Sequence, residues 1–265
     1  MIGVLYSILD IASVNMANYL EREHGLEEVD EGSACAYSNK ACIIKTGKSL
    51  LELDELDKYN FELIYFLSKH SSAKGIAAFT THPTGNWTKE AKLGGKPYEL
   101  SYSAPLEMLE ILRELKKTNN YGLEISYEAT HHGPLLKTPS LFVEVGGNEE
   151  TVSNKDYAKV TGEAVYNSIY NDDVEFSKVV IGIGNTHYPT KFSELALNKG
   201  YAFAHMLPKY AIEGNGDNVF MLEQAVKRTK NDVELAVIDW KSLNSETRAK
   251  VISKLNELGL DYERV

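Results

Sequence analysis

The chain has 265 residues, 43% hydrophobic and 25% charged, with a formal net charge of −10. That length suffices for a full hydrophobic core, and the composition excludes a low-complexity or disordered chain. No apolar run approaches the ~18 residues of a membrane span, and the acidic balance disfavours nucleic acid on average, because phosphate contacts dominate such affinity.

Met1 to Ser7 reads as a first strand, and Ala12 to Glu23 as a helix with Asp10 or Ser13 at its start. The N-terminus lacks a basic region and carries Asp10 within its apolar stretch, so it does not read as a signal peptide. Short strands are expected around Ala41 to Ile44, at Phe61 to Leu67 and at Gly75 to Thr80. Leu106, Leu109, Ile111, Leu112 and Leu115 give a helix from Ala104 to Lys117 one buried face, with Pro105 tolerated in its first turn. Strands at Leu123 to Ala129 and Ser140 to Val145 follow, then a helix from Asn154 to Tyr170 and a strand from Lys178 to Ile183. A strand at Tyr201 to Leu207 and a helix at Gly216 to Arg228 come next. The strand Glu234 to Trp240, the helix Ser245 to Leu258 and a strand at Leu260 to Val265 close the chain. Strands that alternate with helices predict a single α/β domain over 1–265, with a three-layer build around a mainly parallel or mixed sheet.

The two cysteines, Cys35 and Cys42, are too few for a disulfide framework. They are expected as free buried thiols in a reducing cytosol, and the protein as a cytoplasmic monomer. A local basic patch remains open, at Lys89, Lys92 and Lys96 around a Gly-Gly or at Lys227, Arg228 and Lys230.

Seven histidines are present, and their placement is the informative feature. FLSKH puts His70 past a strand end, and FTTHPTGNW does the same for His82. YEATHHGP supplies His131 and His132, and GIGNTHYP supplies His187. Taken singly, each reads as a polar loop residue or a helix cap. Taken together, strand-end histidines in an α/β sheet suggest a site, because ligands bind outside the carboxyl ends of the strands. Glu128 and Glu144 lie beside them. Glu144 sits in the apolar run Leu141 to Val145, where a buried carboxylate requires a partner: a metal-bound histidine, a bound amine, or a Lys or Arg.

Imidazoles with a carboxylate suit Zn²⁺. The expected metal residues are His82, His131, His132, Glu144 and His187, with His131, His132 and Glu128 as catalytic groups. In a regular strand His131 and His132 would face opposite sides, so both can serve one site only if the chain turns at Thr130 or Gly133. No GxSxG elbow occurs, and GIGNT is a weak phosphate-turn match that lacks the Walker lysine.

SILDIASVNMANYL, FLSKHSS, FTTHPTGNW, YEATHHGP, LFVEVGGNEE and GIGNTHYPTKF together resemble the archaeal and plant type of D-aminoacyl-tRNA deacylase. THPTGNW and EATHHGP make the match specific. The resemblance implies hydrolysis of the ester linking a D-amino acid to the 3′ end of tRNA, a zinc-activated water, and a fold related to peptidyl-tRNA hydrolase and nucleoside phosphorylases. The tRNA contact is then expected to be local to the acceptor end. On that reading, Gly146 and Gly184 would offer backbone N–H groups to the oxyanion. Asn86, Trp87 and Tyr188 would hold the terminal adenosine, the two aromatic rings by stacking. Trp87 is also readable as a core residue. Two other readings stand beside this one: a different metal-dependent hydrolase, such as a peptidase or amidohydrolase, and a non-catalytic tRNA-binding or metal-storage module.

Overall fold

The structure is a computed structural model that describes residues 1–33, 35, 39–70, 75–171, 177–213 and 218–265. Its larger sheet has seven strands, in the order β2 (Glu28–Asp30), β3 (Ala41–Thr46), β1 (Ile2–Ser7), β4 (Leu63–His70), β9 (Ser140–Gly146), β5 (Ala78–His82) and β8 (Glu124–Tyr127). The five strands from β2 to β9 run parallel. β5 is antiparallel to β9, and β8 is parallel to β5. The central strands are buried on both faces, which is why they read as continuous apolar runs rather than alternating ones.

A second, all-parallel sheet orders β11 (Tyr201–Leu207), β10 (Lys178–Ile183), β12 (Leu235–Ile238) and β13 (Tyr262–Arg264). A small ribbon pairs β6 (Gly85–Asn86) with β7 (Glu99–Leu100). The α/β class and the mixed sheet are as expected, and the strands divide between these two main sheets.

The helices α1 (Ile11–His24), α2 (Pro105–Thr118) and α4 (Lys155–Tyr170) pack together on one face of the larger sheet, over Tyr65, Leu67, Leu141 and Val143. Asp10 caps α1 by accepting from the Ala12 and Ser13 amides, and Gly25 ends it at φ 66°. The other Asp10 oxygen accepts from the Lys69 amide at 2.7 Å, which pins the end of β4 beside the start of α1. α5 (Thr190–Lys199), not among the helices expected from the sequence, follows the Tyr188–Pro189 turn and packs on β8 and β11. α7 (Leu222–Lys227) and α8 (Ser245–Leu258) cover the second sheet, and α3 (Glu149–Val152) and α6 (Lys209–Glu213) are single turns. The helix expected from Gly216 shortens to a 3₁₀ turn at Asn218–Met221 followed by α7, with 216 and 217 outside the described residues.

The opposite face of the larger sheet carries Leu5, Ile44, Phe66 and Phe142, covered by 3₁₀ turns at Leu50–Glu52 and Leu56–Tyr59. That face holds the site. Cys35 and Cys42 are joined as a disulfide, in place of the expected free thiols, so the reducing compartment inferred from them loses that support. Among the described residues, no helix is long and apolar enough to cross a membrane.

Candidate metal and ester-hydrolysis site

The register explains how the cluster forms. Across β4, β9 and β5, Ser68 and Thr80 both pair with Glu144, His70 pairs with Gly146, and His82 pairs with Phe142. Paired residues share a face, so His70, Glu144 and His82 all project from the side of the sheet opposite the helices. The expectation of one rim of parallel carboxyl ends is thus corrected. His82 arrives on a strand running the other way, and the histidines meet on a sheet face. Its ring stacks on Phe142, with centroids 5.2 Å apart.

The remaining members come from loops. Glu128, His131 and His132 follow β8, and His187 follows β10. The Ala129 amide donates to the His187 carbonyl at 2.8 Å and the Thr130 amide to the Met206 carbonyl at 3.2 Å, so this loop is tied to the second sheet. His132 itself adopts φ 44°. That left-handed residue is the turn that brings both neighbouring imidazoles to one site, with ring centroids 4.2 Å apart.

Three rings are locked by backbone. His82 Nδ1 lies 3.2 Å from the Pro83 carbonyl, His131 Nδ1 2.8 Å from that of Ala129, and His132 Nδ1 2.6 Å from that of Gly133. An Nδ1–H donated to a carbonyl fixes the ring and leaves Nε2 as the ligand nitrogen, the usual arrangement of a histidine that binds a metal. Ligand atoms of His82, His131 and His132 lie within 4.8 Å of one another, as do those of His70, Glu128 and His187, and those of His82, Glu128 and Glu144. His187 therefore groups with His70 and Glu128 rather than with His82.

The two carboxylates are buried, and their partners are imidazoles, not Lys or Arg. Glu128 Oε2 is 2.9 Å from His187 Nε2 and 3.7 Å from His131 Nε2. His70 Nδ1 sits 3.1 Å from Glu128 Oε1 and 3.3 Å from Glu144 Oε2, and its Nε2 contacts the Tyr188 hydroxyl. Burial pulls the His70 imidazole down, but Glu128 and Glu144 outweigh it and hold the group up at about 10. Burial and the neighbouring imidazoles push His131 well below its ordinary value, and His132 down to about 4. Burial opposes ionisation of Glu128 and Glu144, yet the surrounding histidines keep both carboxyls low. His82 is raised by Glu144 against its own burial.

These observations test the donor set for a metal. His82 Nε2 is buried without a hydrogen-bond partner among the described residues, and buried Glu128 Oε1 faces the His70 imidazole in an ion-pair contact at 3.1 Å. Two buried anions require positive charge that only protons on imidazoles or a cation can supply. Neutral Nε2 donors beside carboxylates are what Zn²⁺ takes. The residues fit.

A cavity of about 510 Å³ opens on the cluster. His70, His131, His132, Glu144 and His187 line it together with Leu9, Leu51 and Leu93. Other expected binding residues lie differently. Trp87 is 4% exposed, packed against His205 in the second core, so no base can stack on it. Asn86 is buried and donates to the Gly94 carbonyl at 2.9 Å. The Gly184 amide donates to the Leu207 carbonyl at 2.9 Å, so it is not free for an oxyanion. Gly146 lies within the sheet, paired with both His70 and Ala78. Tyr188 does join the cluster. His205, set aside in the sequence because it sits inside a strand, bonds Thr130 Oγ1 at 3.2 Å and the Arg228 carbonyl at 3.1 Å, bracing the loop that carries His131.

The fold and the site define an α/β protein with a buried His/Glu centre suited to a metal ion. The sequence pattern of the D-aminoacyl-tRNA deacylases matches residues 57–263. The D-aminoacyl-tRNA deacylase of Pyrococcus abyssi is 34% identical over 270 residues, covering 98% of each chain. That of Methanococcus maripaludis is 36% identical over 214 residues, covering 77% of this chain and 82% of its own. The crystal structure of a conserved protein of unknown function, AF0625, superposes with a TM-score of 0.89 at 31% identity, covering 100% of this chain and 95% of that one. The chain belongs to the D-aminoacyl-tRNA deacylase family and is, with it, an enzyme.

Proposed function

We propose that this chain, as a single domain, uses zinc to hydrolyse the ester between a D-amino acid and the 3′ end of tRNA. The observation that carries the reading is the triple of His82, His131 and His132, each tied to a carbonyl at Nδ1, beside two buried carboxylates. Family membership supplies the substrate class, and a core that contains side chains of both sheets supports one domain.

His82, His131 and His132, with Glu144 alongside, would hold the ion. When bound, zinc supplies a Lewis acid for the ester carbonyl and lowers the pKa of water toward ~7. The protein does the rest. Glu128 accepts a proton at Oε2, where His187 Nε2 is already hydrogen-bonded. His187 is half-exposed at the cavity and is placed to pass that proton to the departing ribose oxygen. His70 is held between Glu128 and Glu144 and orients the Tyr188 hydroxyl. Leu9, Leu51 and Leu93 give the amino-acid side chain an apolar wall.

Purified protein should release tyrosine from D-Tyr-tRNA but not from L-Tyr-tRNA. Chelation should abolish turnover, and zinc should restore it. His131→Ala and His132→Ala should each remove the activity while the protein stays folded. Full rates in both variants would place the centre elsewhere.

A further inference from the structure

We propose that a second groove, of about 380 Å³, grips the phosphodiester backbone of the substrate's acceptor strand through Lys96, Lys137 and Tyr102. The inference rests on the tRNA reading above and answers how a chain of net charge −10 holds RNA.

The groove's anions are already engaged. Asp57 accepts from the Thr138 amide at 2.8 Å, from the Thr138 hydroxyl at 2.9 Å and from the Lys137 amide at 3.0 Å. Glu99 pairs with Arg228, whose guanidinium also donates to the Leu100 carbonyl. Among the described residues, the ammonium groups of Lys96 and Lys137 have no ion-pair partner, and the Tyr102 hydroxyl has no hydrogen bond. Cations left over after their neighbours are satisfied are what a polyanion finds. Two such charges lining one groove suit a phosphodiester backbone.

Position makes the same point. Lys96 follows Leu93 by three residues, and the groove residue Leu135 follows His132 by three; Leu93 and His132 line the catalytic cavity. Three residues span at most ~11 Å. A stacked strand rising ~3.4 Å per nucleotide covers that in about three nucleotides. The phosphates just inward of a 3′ ester seated at the cluster are therefore within reach of the groove. The two loops are packed backbone to backbone: a Cβ on Gly133 would fall 2.4 Å from Gly95 N and 2.5 Å from Gly94 C. Groove and cavity are held in fixed relation.

The test is a double variant, Lys96→Ser with Lys137→Ser, assayed on D-Tyr-tRNA and on the 3′-D-tyrosyl ester of adenosine, which lacks the strand. On D-Tyr-tRNA, KM should rise about tenfold with kcat nearly unchanged, and the slope of log(kcat/KM) against log salt should flatten by ~1.4 for two lost single-strand phosphate contacts. Hydrolysis of the adenosine ester should not change. An unaltered KM and salt slope on D-Tyr-tRNA, or an equal loss on both esters, overturns the groove. If the unsubstituted protein cleaves neither ester, the functional reading fails instead. Titration with uncharged tRNA then decides the groove by itself: weaker binding by the double variant supports it, and equal binding overturns it.

Discussion

Glu128 is the residue on which the cluster turns. It touches His70, His131 and His187 while fully buried, so its charge is felt at close range. Glu128→Gln keeps the volume and removes the charge. We expect kcat to fall by ~10²-fold or more, the size of a lost general base. In chelated protein, the His70 imidazole should move from about 10 toward its ordinary range, because one of its two supporting anions is gone. An NMR titration of His70 that does not shift would refute this electrostatic account. Sequence placed Glu128, Glu144 and four of the histidines in one centre. It noted His70 at a strand end without giving it a role, since nothing local reveals that two carboxylates bracket it. Trp87 and Gly184 failed as ligand groups for the converse reason. Burial and an occupied amide are properties of the packed molecule.

At the scale of elements, the site depends on three loops meeting where no side chain fits. A Cβ at Gly133 would lie 2.4 to 2.5 Å from backbone atoms of Gly95, Gly94 and Leu51, none of which can swing away. Gly133→Ala should therefore move the loop carrying His131 and His132, destabilising the protein by ~1–3 kcal/mol and lowering kcat. Gly259→Ala is the control, because its Cβ meets nothing within 4 Å and only the φ of 65° is strained. Thermal melts and rates for the two should separate; equal losses would mean that the loop junction is not special.

For the whole molecule, the buried histidines set the dependence of stability on pH. His132 and His205 are held down at about 4, chiefly by burial, against ~6.5 when unfolded. The unfolded chain thus takes up protons first, and the stability from these rings is present above ~6.5 and lost as pH falls toward 4. His70 has the opposite sign. Raised to about 10, it contributes fully below ~6.5 and loses that contribution as pH rises to 10. Urea midpoints of the metal-free protein should peak near pH ~6.5, and His205→Gln should flatten the acid side. A flat acid limb in the unsubstituted protein would contradict the burial argument.

Taken alone, the sequence determined the α/β class and singled out most of the histidines and carboxylates that the structure brings together, because both are written in local signals. Apolar runs of strand length alternate with amphipathic helices, and THPTGNW, YEATHHGP and GIGNTHYP each deliver their histidines at a strand end. It also posed the question of whether His131 and His132 can share a site, and left the turn at His132 to be found. What only the tertiary structure decided is direction and company. β5 runs against β9, so the rings converge on a sheet face rather than along a rim. The carboxylates that bracket His70, and the neighbours that engage Asp57 and Glu99 while Lys96 and Lys137 have no ion-pair partner among the described residues, come from remote segments. Strand polarity and hydrogen-bond partners are pairwise properties of residues far apart in the chain, and a local pattern carries no record of them.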